Sequence, residues 1–322
     1  MEQTQHFSSF SRDARLMIAG EHGMVGSAIK RAVKHSWPKM SLIETPHKDI
    51  LDFRNAQKTD AFFAQYKPDY VVIAAAKVGG IGANMNEPVQ FFEDNILIQT
   101  NLMQAAHKHS IKKLLFLGSS CIYPKECTQP MREDMLMSGI LEPTNAPYAM
   151  AKLAGIMMCQ SYRRQYGSNF ISCLPTNLYG INDYYDADRS HVIPAMILKF
   201  HQAKIEQKDH VTLWGSGTPL REFLNVDDLA QACLTLLEKY NEEEPINIGS
   251  NKEISIHDLA LMIKDVVEFD GEIIFDKSMP DGTMRKALNN EKINALGWKA
   301  KTDLEQGLTA AYKDFLSRRL AD

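Results

Sequence analysis

The 322-residue chain is expected to fold as an α/β protein, a doubly wound parallel sheet carrying a smaller, discontinuous α+β domain. Three observations point there. Short apolar runs alternate with helical patterns through the first half, a glycine-rich turn follows the first run, and the second half breaks into loops and short elements.

Arg15 to Ala19 is a short apolar run that reads as a buried strand, and Ser27 to Lys34 reads as the helix after it. Ser41 to Glu44 and Tyr70 to Ala75 are the next two strands, with helical spacing of apolar residues from Asn55 to Tyr66 between them. Phe91 to His107 is a further helix, followed by the strand Lys113 to Leu117. A helix pattern runs from Tyr148 to about Tyr166. Beyond it, Asn177 to Ser190 reads as loop and Trp214 to Pro219 as a turn-rich insertion. Residues 254 to 322 read as short helices around one strand, Glu272 to Phe275.

Composition narrows the function classes. Hydrophobic residues make up 44% and charged residues 24%, with a net charge of −4, so no general attraction to nucleic acid or an anionic membrane is implied. The longest apolar stretch, Val71 to Ala76, is far too short to span a bilayer. Met1 to Asp13 is polar and reads as a loose N-terminal extension without a secretory signal's apolar core. Five cysteines with no CxxC pair argue against a disulfide framework or a zinc site, so a reducing cytoplasm is expected and no metal.

Glycines at 20, 23 and 26 lie between a strand and a helix. There they allow a tight turn and close approach of backbone to a pyrophosphate at the positive helix end, with Met24 and Val25 in the first turn. The spacing is GxxGxxG, a weak signal alone, and context makes it a dinucleotide site. Near the end of the second strand, Glu44 suits a ribose 2′-hydroxyl and thus NAD(H), whereas His22, His47 and Lys48 offer charge to the 2′-phosphate of NADP(H). All four are also compatible with plain surface, and the residues leave both cofactors open.

Tyr148 and Lys152 stand at i and i+4 on one helix face. A nearby cation is expected to lower the tyrosine pKa from about 10 and suit it to proton exchange with a substrate oxygen. Ser119 leaves the end of a strand, where its hydroxyl can bond the same oxygen. Cys121 lies two residues on, although cysteine is more often a small buried hydrophobe.

In this order, the glycine loop, Ser119 and YxxxK resemble the extended short-chain dehydrogenase/reductases. Longer strings resemble the GDP-L-fucose synthase family, the GDP-4-keto-6-deoxy-mannose 3,5-epimerase–4-reductases. They are Ala74-Ala-Ala-Lys-Val-Gly-Gly-Ile81, Leu117-Gly-Ser-Ser-Cys-Ile-Tyr-Pro-Lys125, Leu141-Glu-Pro-Thr-Asn145, Pro175-Thr-Asn-Leu-Tyr-Gly180, Ser190-His-Val-Ile-Pro194, Trp214-Gly-Ser-Gly-Thr-Pro219 and Pro280-Asp-Gly-Thr283. The resemblance runs from about residue 15 to the C-terminus.

It implies a Rossmann-like NADP-binding domain over 14–176 plus about 222–248, and a nucleotide-sugar domain over about 177–221 plus 249–322. It also implies 3,5-epimerisation of GDP-4-keto-6-deoxy-D-mannose with Cys121 as base and His191 as acid. NADPH-dependent 4-reduction would follow, with Tyr148 as proton donor, Lys152 on the nicotinamide ribose and Ser119 orienting the carbonyl. Gly20, His22, Gly23, Met24, Val25, Gly26, Ala75, Tyr148, Lys152, Pro175, Asn177, Leu178 and His191 would contact the cofactor. Asn177, Val192, Lys199, Trp214, Arg221, Asp281 and Lys286 would contact the GDP-sugar.

Two positions depart from the family pattern: His22 and Lys199 stand where arginine is expected. The alternatives are a C4-reductase, with or without epimerisation, of a related GDP-4-keto sugar such as a heptose, and a non-catalytic nucleotide sensor. A dehydratase would want an acidic pair where Ser120 and Cys121 stand. The family also implies a homodimer through the Tyr148 helix and its neighbour. Met150, Leu153, Ile156 and Met157 on that helix suit either an interface or ordinary core.

Overall fold

The computed structural model describes residues 7, 9–186, 189–279 and 281–319, so most of the expected N-terminal extension, part of the 183–189 loop and Pro280 lie outside the described residues. In chain order the elements are β1 (Arg15–Ala19), α1 (Met24–Ser36), β2 (Ser41–Ile43), α2 (Ala56–Tyr66), β3 (Tyr70–Ile73), α3 (Ile81–Asn86), α4 (Pro88–Lys108), β4 (Lys113–Leu117) and α5 (Ala146–Tyr166). There follow β5 (Phe170–Pro175), β6 (Asn177–Tyr179), α6 (Val192–Ile205), β7 (His210–Trp214), β8 (Leu220–Asn225), α7 (Val226–Lys239) and β9 (Ile246–Ile248). The chain ends with β10 (Glu253–Ser255), α8 (Ile256–Val267), β11 (Glu272–Asp276), β12 (Arg285–Lys286), α9 (Glu291–Ala295) and α10 (Leu304–Arg319).

Six strands form one parallel sheet in the order β2-β1-β3-β4-β5-β9. Side chains alternate across its two faces, as strand geometry requires. Leu16, Ile18, Val72, Leu115, Leu117, Ile171 and Cys173 enter one core with α1 and α7. Met17, Ala19, Val71, Ile73, Leu114, Phe116 and Leu174 enter the other, toward α2, α4 and α5. Both faces are thus covered, which is why these strands read as continuous apolar runs. The doubly wound fold is as the sequence predicts.

Helix ends follow local chemistry. The Asn55 side chain accepts from Lys58 N at 2.9 Å and starts α2, and Gly167, at φ 70°, ends α5 in the left-handed conformation. Two short strands depart from the sequence reading. Asn177–Tyr179, expected as loop, pairs in parallel with β8, and Arg285–Lys286 pairs with the other end of β8 at Leu220 and Arg221. Runs of two or three residues are too short to carry a period, so only tertiary pairing defines them.

A third core, built from α6, α8, α10 and β7, includes Ile197, Phe200, Leu213, Leu259, Ile263, Leu308 and Phe315. Of the apolar residues on α5 compatible with interface or core, Ile156 is buried and Leu153 half-buried, while Met150 and Met157 are exposed. No helix among the described residues is long and apolar enough to cross a membrane, and none of their His, Cys, Asp and Glu side chains cluster as a metal site.

Candidate active site

The strand order reverses at β1, which lies between β2 and β3. Ligand clefts of open α/β sheets lie outside the carboxyl ends of strands at such a point. Here β1 runs into the glycine loop. Gly20 has φ +90°, and a Cβ on it would lie 2.7 Å from Ala75 N beyond β3. A Cβ on Gly26, in the first turn of α1, would lie 2.0 Å from Gly20 O. Neither position has room for a side chain, so loop, helix end and Ala75 pack backbone to backbone. Gly23 caps α1 without a side chain, and Met24 and Val25 open it. This arrangement fits a dinucleotide pyrophosphate at the helix N-terminus.

The loop is braced from within. Glu21 is buried, its carboxylate accepting from Thr45 N at 2.8 Å and facing Lys30 Nζ at 3.0 Å. His22 Nε2 stands 2.9 Å from Thr45 O, and the His47 ring lies 6.2 Å away by centroid. His22 and His47 therefore share the corner beyond β2, with Glu44 exposed beside them. Asn182 reaches the same loop from beyond β6, its amide donating to His22 O at 2.9 Å.

At the end of β4 the chain turns through a 3₁₀ segment, Ser120–Ile122. Ser119 caps it by accepting from Cys121 N at 3.2 Å. Ser119 also lies close enough to the Tyr148 and Cys121 side chains to lower the pKa of each. Lys152, one turn along α5 from Tyr148, is only 4% exposed. Its ammonium donates to Leu117 O at 2.8 Å and lies over the Phe116 and Tyr148 rings, at 4.8 and 6.0 Å.

The electrostatics differ from the sequence expectation in one respect. Burial, and after it the neighbouring Cys121, push the Tyr148 phenol up rather than down, with the Ser119 hydrogen bond opposing them. Lys152 is not among the groups that shift the phenol; its ammonium donates to the Leu117 carbonyl. Burial lowers Lys152 itself to about 8. A phenol held neutral is in the form that donates a proton.

Cys121 moves the other way. Burial alone would raise its thiol, but the charge of Lys286, hydrogen bonds from Ser119 and Lys286, and the charge of Arg221 together carry it below the usual value. Lys286 Nζ lies 3.5 Å from Cys121 Sγ, and β-pairing places Lys286 opposite Arg221. His191 caps α6 by its backbone, immediately before Val192, on a segment bonded to the loop after β3 through Gly80 N and Arg189 O at 2.8 Å. Desolvation, then the charge of Lys286, lowers its pKa. Cys121 and His191 thus share Lys286 as an electrostatic neighbour.

The remaining expected residues lie on β5, β6, β7, β8 and the segments beside them. Pro175 ends β5, and Asn177 and Leu178 lie in β6, the Asn177 amide donating to Glu222 O at 2.9 Å. Lys199 Nζ lies 5.8 Å over the Trp214 ring, which is 66% exposed at the end of β7. Asp281 accepts from Ser216 N and Oγ at 2.8 and 2.7 Å. It faces Arg221, whose pKa is lowered by burial while the Asp281 charge opposes this. Trp214 and Lys199 therefore form an outer pair, joined to the inner group through the Trp214–Pro219 turn.

Glu222 escaped the sequence reading. It is 1% exposed and accepts from Leu288 N at 2.9 Å, Asn251 N at 2.7 Å and the Asn290 amide at 3.3 Å. It anchors the strand that carries Lys286. An acid within the apolar Phe223-Leu224 end of a strand was the available signal.

The sequence model of the NAD dependent epimerase/dehydratase family matches residues 16–249. GDP-L-fucose synthase 1 of Arabidopsis thaliana is 48% identical over 309 residues, covering 96% of this chain and 95% of that protein. Among solved structures, a GDP-6-OMe-4-keto-L-xylo-heptose reductase from C. jejuni superposes with a TM-score of 0.90 at 31% identity, covering 97% of this chain and 100% of that one. A GDP-L-fucose synthetase from Naegleria fowleri bound to NADP superposes with a TM-score of 0.88 at 28% identity, covering 97% of each chain. With a glycine cradle at the switch point and the Ser119, Tyr148 and Lys152 set at the adjacent strand end, the chain belongs to the NAD dependent epimerase/dehydratase family and, within it, to the GDP-L-fucose synthase group.

Proposed function

We propose that the chain inverts C3 and C5 of GDP-4-keto-6-deoxy-D-mannose and then reduces C4 with NADPH, giving GDP-L-fucose. The observation that carries this reading is Cys121, bonded through its N–H to the Ser119 hydroxyl at 3.2 Å and with its thiol 3.5 Å from Lys286 Nζ, beside the Ser119, Tyr148 and Lys152 set. A reductase needs the serine, tyrosine and lysine; only an epimerase needs an activated thiol beside them.

A 4-keto group acidifies the C–H bonds on either side, because the carbanion delocalises as an enolate. Inversion requires one group to take a proton from one face and another to return one to the opposite face. Cys121 takes the proton and His191, at the start of α6, returns one. Tyr148, held neutral by burial, then gives its proton to the C4 oxygen while Ser119 orients that oxygen. NADPH, when bound, supplies the hydride for C4. Gly20, His22, Gly23, Met24, Val25, Gly26, Ala75, Pro175, Asn177, Leu178 and His191 would hold the cofactor, with Lys152 on its nicotinamide ribose. Lys199, Trp214, Arg221 and Asp281 hold the GDP, with Asn177, Val192 and Lys286 toward the sugar; the charged groups suit pyrophosphate and ribose contacts.

The cofactor half is assigned to residues 14–176 plus about 222–248, and the nucleotide-sugar half to about 177–221 plus 249–322. The chain is also assigned as a cytoplasmic homodimer. Exposed Val89, Phe92 and Leu97 on α4 and Met150 and Met157 on α5 support pairing through these two helices.

The test is incubation of the purified protein with GDP-4-keto-6-deoxy-mannose and NADPH, followed by NMR of the sugar. GDP-L-fucose is expected. A product reduced at C4 but unchanged at C3 and C5 would overturn the epimerase half and favour a plain C4-reductase of a related GDP-4-keto sugar, such as a heptose.

A further inference from the structure

We propose that Lys286 is the positioning residue that holds Cys121 as the thiolate partner of an ammonium–thiolate pair, making the cysteine a base in neutral solution. The contact is specific. Lys286 Nζ lies 3.5 Å from Cys121 Sγ across 165 residues of sequence, and among the described residues Lys286 has no carboxylate partner that would neutralise it.

The backbone around Lys286 is fixed on every side, as a preorganised charge requires. Arg285 and Lys286 pair with Leu220 and Arg221 of β8. Ala287 N donates to the Gln129 side chain at 2.9 Å, and Ala287 O accepts from Met131 N at 2.8 Å. Leu288 N donates to the buried Glu222 carboxylate at 2.9 Å. The segment before α9 is thereby strapped to the loop after Cys121 and to β8 together. An ammonium on this strap reaches the thiol without closure of a loop.

Lys286 acts on the acid as well. Its charge lowers the Cys121 thiol and also lowers His191, after desolvation in the second case. The remaining groups facing the thiol are Ser119, which hydrogen-bonds it, Arg221, which adds positive charge, and the Tyr148 phenol. In the epimerisation step the thiolate sulfur takes hydrogen from carbon as a proton, and the C–H electron pair enters the enolate. His191 then gives a proton to the opposite face, the ketone re-forms, and solvent returns both groups to their starting state. One lysine therefore sets base and acid to the same side, moving both limbs of the epimerisation pH profile toward acid.

The proposal rests on the epimerase reading for its purpose, but the pair can be tested without substrate. Alkylation of Cys121 by iodoacetamide, followed by mass spectrometry across pH, reads the thiolate directly. In the unaltered protein the midpoint is expected below the ~8.5 of a free cysteine. Lys286→Met is expected to raise the midpoint by about one unit or more, and Lys286→Arg to return it toward the original. With substrate in D2O, Lys286→Met should lower deuterium exchange at C3 and C5 about tenfold at neutral pH, with recovery in alkali. A midpoint at or above that of a free cysteine in the unaltered protein, or one unmoved by Lys286→Met, would overturn the proposal. Failure to turn over the GDP-sugar while the midpoint behaves as stated would count against the substrate reading alone.

Discussion

At the reaction end of the cleft, Ser119 and Cys121 leave β4, and Tyr148 and Lys152 stand in the first turns of α5, all joined by short contacts and mostly enclosed. On the loops beyond β1 and β2, His22, Glu44 and His47 are exposed, with His22 held at Thr45 and Asn182 and His47 at Asp49. The difference teaches where this chain is committed. Groups aimed by a buried sheet end and a long helix leave little freedom in what they do, whereas groups on exposed loops can change charge, and so preference, at small cost to the fold.

The largest expected effects test the committed end. Tyr148→Phe removes the proton donor but little volume, and reduction at C4 should fall by about 10²–10⁴-fold in a steady-state NADPH assay. Retention of most of the reduction rate would mean that another group protonates the oxygen. In the glycine loop of the cradle, Gly26→Val should abolish NADPH binding by fluorescence titration, because even a Cβ there meets Gly20 O at 2.0 Å.

A smaller effect sharpens the contrast at the ribose corner. His22 Nε2 stands 2.9 Å from Thr45 O, so this side chain offers a 2′-phosphate fewer free donors than an arginine would. Glu21 lies 3.7 Å from His22 Nε2, and Asp49 holds the neighbouring His47 at 2.8 Å. His22→Arg should therefore raise NADPH affinity by about tenfold in calorimetry while NADH affinity stays level. A parallel response of the two cofactors would break the assignment.

The smallest effect lies in the loop that touches this corner. Asp183 is buried, accepts from Tyr184 N at 2.8 Å, and is raised by burial to about 7. A carboxyl whose pKa is raised in the folded state favours folding fully below its unfolded value of about 4, and that contribution is lost as pH rises through about 7. Asp183→Asn should thus raise Tm by a few degrees near pH 8 and leave it nearly unchanged near pH 4, as read by calorimetry.

The same contrast governs what could be read in advance. The strands Arg15–Ala19 and Lys113–Leu117 are apolar runs, and Ser119 with Cys121 and Tyr148 with Lys152 are local spacings, so the fold and the nearness of these four side chains are legible in the sequence. Arg285–Lys286 is a two-residue strand, and Lys286 meets Cys121 only because β8 and the Gln129–Met131 segment hold it there. Such a contact exists only after folding. The sign of the Tyr148 shift was likewise hidden, because the burial and the nearby Cys121 that raise it are tertiary facts.

The central claim is that one cleft holds two separable chemistries, and Cys121→Ala in D2O tests it most directly. With GDP-4-keto-6-deoxy-mannose and NADPH, the unaltered protein should give a product carrying deuterium at C3 and C5. The variant should still oxidise NADPH, yielding a C4-reduced sugar without deuterium at either carbon. Deuterium at both carbons in the variant product would contradict the account.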